Sequence, residues 1–339
     1  MNTEREKYLL KINNLKVHFH TLEGTVRAVE DASLTIEPGM TMGLVGESGC
    51  GKSVTAHSIL RLLPTRTCQI KSGEILFRRQ GNNEVIDLAK VEPDGELIRS
   101  IRGHEIAMVF QEPMTSLSPV FTVGNQIIEA IMLHRRLQPQ EAREYAAEML
   151  KAVALPEDVI DEYPYRLSGG QRQRAMTAMA LSCHPSLLIA DEPTTALDVT
   201  TQAQIIELLK SLQQQLHMAI LMITHNLGVI AETADRVAVM YLGRVVESGT
   251  VKQIFDNPLH PYTIGLLKSI PRMGSETKKR LAPIPGSVPD PLTVIEGCAF
   301  RLRCPVCKQK GCDGKDVLDA VETEPEHFVH CLLYSKRAR

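Results

Sequence analysis

Residues 46–53 read GESGCGKS, the full pattern G-x-x-x-x-G-K-[ST]. In such a run the glycines let successive backbone N–H groups turn into one concavity, and a following helix adds its positive end. That chemistry suits the phosphates of a nucleotide. The backbone of Gly46, Glu47, Ser48, Gly49, Cys50 and Gly51 forms the cradle, Lys52 reaches the β- and γ-phosphates, and the Ser53 hydroxyl ligates Mg²⁺. A second stretch, residues 187–192, reads LLIADE, an apolar strand that ends in two acids. Carboxylates at a buried strand tip are costly unless a cation meets them. Asp191 suits Mg²⁺, held mostly through water, and Glu192 is placed to polarise an attacking water as general base. The expected ligands are ATP and Mg²⁺.

These residues need elements to position them. The first 35 or so residues alternate as strands, with Leu10, Ile12, Leu15 and Val17, then Val26, Val29, Leu34 and Ile36, parted by a turn at Gly24. They predict an antiparallel β-layer. From Met42 an apolar run meets the glycine loop, and helical spacing from Val54 to Leu63 stops at Pro64. Strand, glycine loop and helix follow in the order a nucleotide site requires. Residues 122–154 predict a helical insert, with Val123, Ile127, Ile131, Ala142, Ala146 and Leu150 on its apolar face. Further on, helices over 172–182 and 202–216 alternate with the strands SLLIADEP, MAILMIT and RVAVMY, the last followed by a hairpin at Leu242–Gly243. Alternating strands and helices predict an α/β core with a mostly parallel sheet.

The 339 residues are 43% hydrophobic and carry 38 basic and 40 acidic side chains, a formal net charge of -2. The length suggests about two domains at roughly 100–200 residues each. Near-neutral charge argues against a polyanion binder of the strongly basic kind and leaves room for a local patch; no nucleic-acid partner is expected. No apolar run approaches the roughly 18 residues of a membrane helix, and the start MNTEREKYLLK lacks a secretory h-region. A cytoplasmic chain is therefore expected, with its eight cysteines as thiols or metal ligands rather than disulfides.

Between the two nucleotide motifs stands LSGGQ, residues 167–171, and with it the sequence resembles the ATP-binding subunit of an ABC transporter over about residues 8–257. The resemblance implies further roles. Gln111 is similar to the Q-loop glutamine, a ligand of Mg²⁺ or the attacking water. Ala196, Leu197 and Asp198 resemble the D-loop, and His225 the switch histidine. Ser168, Gly169, Gly170 and Gln171 resemble the signature that meets the ATP of an opposite subunit. Phe19 stands where the family has an aromatic that stacks on adenine. The family packs two such subunits head to tail, so turnover is expected from a dimer, with a paralogous ATPase or a second copy of this chain.

QEPMTSLSPVFTVGNQI and NPLHPYTIGLLKSIP resemble stretches of the oligopeptide and dipeptide permease ATPases, a branch that includes nickel and glutathione importers. Beyond about Asn257, prolines at 258, 261, 271, 283, 285, 289 and 291 exclude a long regular element. Five cysteines follow, Cys298, Cys304, Cys307, Cys312 and Cys331, and GCAFRLRCP resembles GC-x-F-x-x-RCP of the same branch. There four cysteines hold an iron-sulfur cluster, and the matching residues are Cys298, Cys304, Cys312 and Cys331. Cys304 and Cys312 stand one residue further apart than the branch pattern, with Cys307 between them as an alternative ligand. Four soft thiolates suit a [4Fe-4S] cluster or tetrahedral Zn²⁺ alike. Cys50, Cys68 and Cys183 read as small packing residues.

The expected fold is α/β: a P-loop NTPase (RecA-like) core with an antiparallel β subdomain and a helical signature subdomain, plus a small Pro/Cys-rich C-terminal module. The expected domains are an ABC ATPase over 1–257, its helical subdomain spanning about 113–180, and an extension over 258–339. The expected function is ATP hydrolysis that powers import of peptides, or of nickel or glutathione, through two transmembrane permease subunits. An extracytoplasmic solute-binding protein would contribute indirectly, and this chain would sit peripherally on the cytoplasmic face of the membrane. The rivals are a redox-sensing protein built around the cysteines and a non-transport ABC ATPase. The latter would carry a long coiled coil or a second cassette, and the sequence has neither.

Overall fold

The computed structural model of the chain describes residues 8–82, 84–111, 116–195, 197–269, 284–307, 312 and 319–335. In chain order the strands are β1 (Leu10–Thr21), β2 (Gly24–Ile36), β3 (Thr41–Val45), β4 (Cys68–Arg78), β5 (Val85–Asp87), β6 (Ile106–Val109), β7 (Leu187–Asp191), β8 (Ala219–Ile223), β9 (Arg236–Tyr241), β10 (Arg244–Thr250), β11 (Val321–Glu324) and β12 (His327–Val329). The described residues fall into two units. One draws on Met1–Leu10, Thr35–Thr41 and Leu76–Ile223, the other on Lys11–Leu34, Met42–Ile75 and Thr224–Arg339.

In the first unit β6, β7 and β8 are parallel, Ile106 standing against Leu187 and Leu187 against Ala219. Every residue of β7 and β8 is buried, which is why LLIAD and AILMI show no polar alternation. The helix Gly169–Leu181 packs on β6 and against the helices Val123–His134 and Pro139–Ala152. Val123, Ile127 and Ile131 on one helix and Ala142, Ala146 and Leu150 on the next are buried, as their spacing predicts. The insert divides where Arg136 turns to a positive φ of 24° and Pro139 opens the second helix.

In the second unit the strand order is β4-β1-β2-β10-β9-β3. β3 and β9 are parallel, whereas β9 and β10 form an antiparallel hairpin. Its two loop residues, Leu242 and Gly243, have φ of 43° and 76°, the both-positive geometry of a type I′ turn. Gly243 is also held from outside the hairpin. Its oxygen accepts from the N–H groups of Glu30 (2.8 Å) and Asp31 (3.1 Å), and its N–H donates to the Cys50 oxygen at 2.9 Å.

The proline-rich stretch does form one short helix, Pro261–Lys268, with Pro261 at the first turn where its missing N–H costs no bond. Pro271 and Pro283 lie outside the described residues. A buried acid secures this segment. Glu247 on β10 is fully buried; its Oε1 accepts from the Leu259 N–H at 2.8 Å, its Oε2 from the His260 N–H at 2.8 Å, and His327 Nε2 lies 2.9 Å from Oε1. His327 begins β12, which pairs antiparallel with β10 so that Glu247 stands opposite Val329. Among the described residues no helix is long and apolar enough to cross a membrane.

Glu247→Ala strands these buried donors, each worth about 1–3 kcal/mol when left unmade. The expected result is a stability loss of about 3 kcal/mol or more in chemical denaturation. An unchanged midpoint would show that the acid holds nothing in place.

Candidate functional site

The second unit carries the glycine loop. β3 delivers the chain to Gly46, the loop turns through Gly49 and Gly51, and the helix Lys52–Ile59 leaves it. Gly46 has φ 155°, and a Cβ there would lie 2.1 Å from the Met240 oxygen; Gly51 has φ 102°, and a Cβ there would lie 2.3 Å from the Ala28 oxygen. The loop is pressed onto backbone at both ends, so glycine is required by contact as well as by torsion. Gly51 is the helix N-cap and brings no side-chain oxygen to the first turn. The opening N–H groups thus face an incoming acceptor. Lys52 is 5% exposed, and its Nζ donates to the oxygens of Gly46 (2.9 Å) and Glu47 (3.0 Å). The ammonium is thereby drawn back over the loop, with Ser53 next along the helix. Burial raises the Cys50 thiol against the pull of Lys52, which keeps it a neutral packing group.

Phe19 lies on β1 in register with buried Leu15 and Val17. The neighbouring imidazoles turn to the strand's other face, His18 to the Glu30 carboxylate and His20 to the Thr25 hydroxyl. Neither competes with the Phe19 ring for its side. His225 is exposed two residues past the end of β8, directly before Asn226, whose side chain caps the next helix by accepting from the Gly228 N–H at 3.0 Å.

The first unit holds the acids. Asp191 ends β7 and is 3% exposed. Glu192 follows with φ 48°, a left-handed conformation that is costly for a residue with a Cβ, and its N–H donates to the Ile223 oxygen at 2.8 Å. Its Oε2 accepts from Gln111 Nε2 at 3.1 Å and from the Thr195 hydroxyl at 2.8 Å. The fold therefore brings Gln111 and Glu192 together from positions 81 apart, and leaves the amide oxygen of Gln111 for another donor or a cation. Thr195, which no motif singles out, completes the group.

LSGGQ starts the helix Gly169–Leu181 through a capping box. The Ser168 hydroxyl accepts from the Gln171 N–H at 3.3 Å, and the Gln171 side chain accepts from the Ser168 N–H at 2.9 Å. Ser168 and Gly169 are exposed and Gly170 half-buried. Asp198 caps the helix Val199–Leu216, accepting from the Thr201 N–H at 3.0 Å and its hydroxyl at 2.6 Å, bonds that hold the carboxyl below its usual range. Ala196, and residues 112–115 within the QEPMTSLSP stretch, lie outside the described residues.

All eight cysteines are thiols rather than disulfides. Cys298, Cys304, Cys307, Cys312 and Cys331 line one cavity with His260. Burial, reinforced by neighbouring thiols, pushes Cys298 up to about 11 and Cys331 up to about 12. The Cys307 thiol donates to the Cys312 oxygen at 3.3 Å. The expected metal cage is not assembled in this arrangement: among the described residues no three His, Cys, Asp or Glu side chains are grouped to hold an ion.

Two further residues hold the loop, and no motif marks either of them for that duty. The Tyr262 hydroxyl accepts from the Glu47 N–H at 2.9 Å, and Arg303 pairs with the Glu47 carboxylate. The GCAFRLRCP pattern draws attention to the cysteines that flank Arg303, although a buried arginine always needs an acid.

Gly51→Ala is expected to destabilise the protein by about 2 kcal/mol or more, because a left-handed alanine is strained and its Cβ meets backbone that cannot move aside. A melting temperature equal to that of the parent would contradict the close packing of the loop.

Two families match the sequence: "ABC transporter" over residues 29–195, and "Oligopeptide/dipeptide transporter, C-terminal region" over residues 246–312. A putative peptide import ATP-binding protein of Brucella melitensis is 52% identical over 303 residues, covering 87% of this chain and 89% of the relative. A probable peptide ABC transporter ATP-binding protein of Sinorhizobium fredii is 48% identical over 329 residues, 95% of this chain and 94% of the relative. Among solved structures, a dimeric ATP-binding cassette in a post-hydrolysis state, bound to ADP and phosphate, superposes with a TM-score of 0.62 at 28% identity. It covers 71% of this chain and 98% of that one.

Proposed function

The chain belongs to the ATP-binding proteins of ABC transporters, and we propose that it is the ATP-hydrolysing subunit of a peptide importer. The observation that carries the site assignment is the Glu192 carboxylate, held at the tip of a buried strand by Gln111 and Thr195. Those two bonds fix the orientation of a base whose backbone is already strained, as a group that must aim at one water requires. The amides of residues 46–51 and the Lys52 ammonium take the phosphates. Ser53, Asp191 and the amide oxygen of Gln111 supply hard ligands for Mg²⁺, and Phe19 offers its ring to the adenine. His225 donates to the γ-phosphate.

Ser168 uses its oxygen within the capping box, so its proton is what it offers to an acceptor. With the amides of Gly169 and Gly170, it contributes to the site of an opposite subunit. The likeness to a dimeric cassette supports that pairing. The opposite subunit is a paralogous ATPase or a second copy, Asp198 lies at the start of a helix beside that contact, and two permease subunits receive the resulting motion on the cytoplasmic face of the membrane. Peptide as cargo follows from the relatives' names and from the match of the C-terminal region. Residues 1–257 form the motor and 258–339 the extension, with a helical subdomain over about 113–180.

The extension has its own ligand chemistry. Five thiols on one cavity form a donor set suited to a thiophilic metal group. Cys298, Cys304, Cys312 and Cys331, with Cys307 as the alternative, are assigned to a [4Fe-4S] cluster. Such a cluster would cross-link the segment and hold these side chains as thiolates, their protons released to solvent. Tetrahedral Zn²⁺ is the competing outcome.

Glu192→Gln is expected to keep ATP binding while slowing turnover about 10²- to 10⁴-fold. Near-normal turnover would remove Glu192 as the base. Protein purified without oxygen is expected to be brown, to contain iron and acid-labile sulfide, and to melt at a lower temperature once these are stripped. Colourless protein with one zinc per chain would overturn the cluster assignment.

A further inference from the structure

Arg303 is a cation set deep in the second unit with its side chain 4% exposed, although it comes from the irregular segment between two cysteines. Its guanidinium grips Glu47 with both ends: Nη1 donates to Oε2 at 2.7 Å and Nη2 to Oε1 at 3.2 Å. Its Nε donates to the Pro285 oxygen at 3.1 Å. The group lies over the rings of Tyr241 and Phe300, at 5.8 and 6.0 Å from their centroids. Tyr262 packs against both rings and takes the Glu47 N–H. Glu47 is thus held at its backbone by one part of the extension and at its carboxylate by another, 41 positions further along. It is also the second residue of the phosphate loop, and its carbonyl is one of the two that hold Lys52.

We propose that Arg303 is a positioning residue for the nucleotide site, which fixes the loop through Glu47 and makes ATP affinity depend on the folded C-terminal segment. This rests on the reading of residues 46–53 as the ATP site. Bidentate pairing sets the direction of the Glu47 side chain as well as its distance, and a lysine can supply charge there but neither the fork nor the stacking plane. A loop released from this grip must be ordered again each time ATP binds, and that cost appears in affinity. Arg303 lies next to Cys304 in sequence, so a change at the cysteine cavity is passed to the loop through one side chain. Linkage makes the effect reciprocal: ATP on the loop stabilises the segment that holds it.

The test measures Mg-ATP affinity of the full-length chain and of Arg303→Ala, Arg303→Lys and Glu47→Gln, with the melting temperature of each. Loss of a charge-assisted pair is expected to raise Kd about tenfold or more in Arg303→Ala, less in Arg303→Lys, with the loss in ATPase assays falling on KM rather than kcat. The Arg303→Ala/Glu47→Gln double variant is expected to cost no more than the larger single effect, because both remove one interaction. Hydrogen exchange across residues 284–307 is expected to slow when ATP binds to the parent and to lose that response in Arg303→Lys. A lower melting temperature with Kd unmoved would show a purely structural arginine and overturn the proposal. Should Arg303→Ala fail to fold, Arg303→Lys and Glu47→Gln decide between the same two outcomes. A parent chain that binds no ATP overturns the nucleotide site itself, whereas normal parental binding with unmoved variants overturns this inference alone.

Discussion

The carboxylate of Glu247 is fully buried, yet among the described residues no lysine or arginine lies within ion-pair reach of it. Two backbone amides and one imidazole take up its lone pairs, and they come from residues 12 to 80 positions away. Much of the C-terminal segment depends on this. His260, fixed through its amide, accepts from the Tyr262 N–H at 3.0 Å, which starts the helix that presents the Tyr262 hydroxyl to the loop. His327, fixed through its ring, begins the strand that leads two residues beyond its end to Cys331. One buried acid thus sets both the approach to the nucleotide loop and one wall of the cysteine cavity. Low surrounding polarity makes such a network strong when every member is satisfied and costly when one is removed.

The remaining chemistry is arranged by two kinds of constraint. At the phosphate loop the constraint is steric, with glycines pressed on the oxygens of Met240 and Ala28. At the acids it is polar, with a side chain from a distant loop holding the oxygen of a residue at a strand tip. A steric constraint makes a cradle that is shaped before its ligand arrives. A pair of hydrogen bonds instead sets the direction of a single base whose backbone is already strained.

Local physics was the legible part of the sequence. Thr122 caps a helix where the pattern places its start, Ser168 and Asp198 cap helices that begin three residues ahead of the expected 172 and 202, and the unbroken apolar runs became the fully buried strands. β4 escaped because CQIKSGEILFR mixes exposed and buried positions without steady alternation. The partners of Glu47, Glu192 and Glu247 were illegible for a different reason. Spacing reports what lies within a turn or a strand, whereas these bonds join residues tens to hundreds of positions apart. The acid that follows the two valines of RVVESGT needs a partner once the strand is buried, and its neighbours in sequence do not name one. The cysteines show the converse, since the resemblance named a donor set but could not supply its arrangement.

A two-residue hairpin loop is ordinarily where a chain absorbs change, because its tip faces solvent and little rests on it. The Leu242–Gly243 turn is the opposite case. Gly243 is bonded on one side to β2 and on the other to the Cys50 oxygen within the phosphate loop, and a Cβ on it would lie 2.9 Å from the Ala28 oxygen. Lengthening this turn by a single residue would carry the bracket away from the loop it braces. The Leu22–Glu23 turn, whose residues are exposed, has no such duty. Of these two tight turns, one is a free end and the other a dimension of the nucleotide site, so length variation among proteins built on this plan is admissible at the first and excluded at the second.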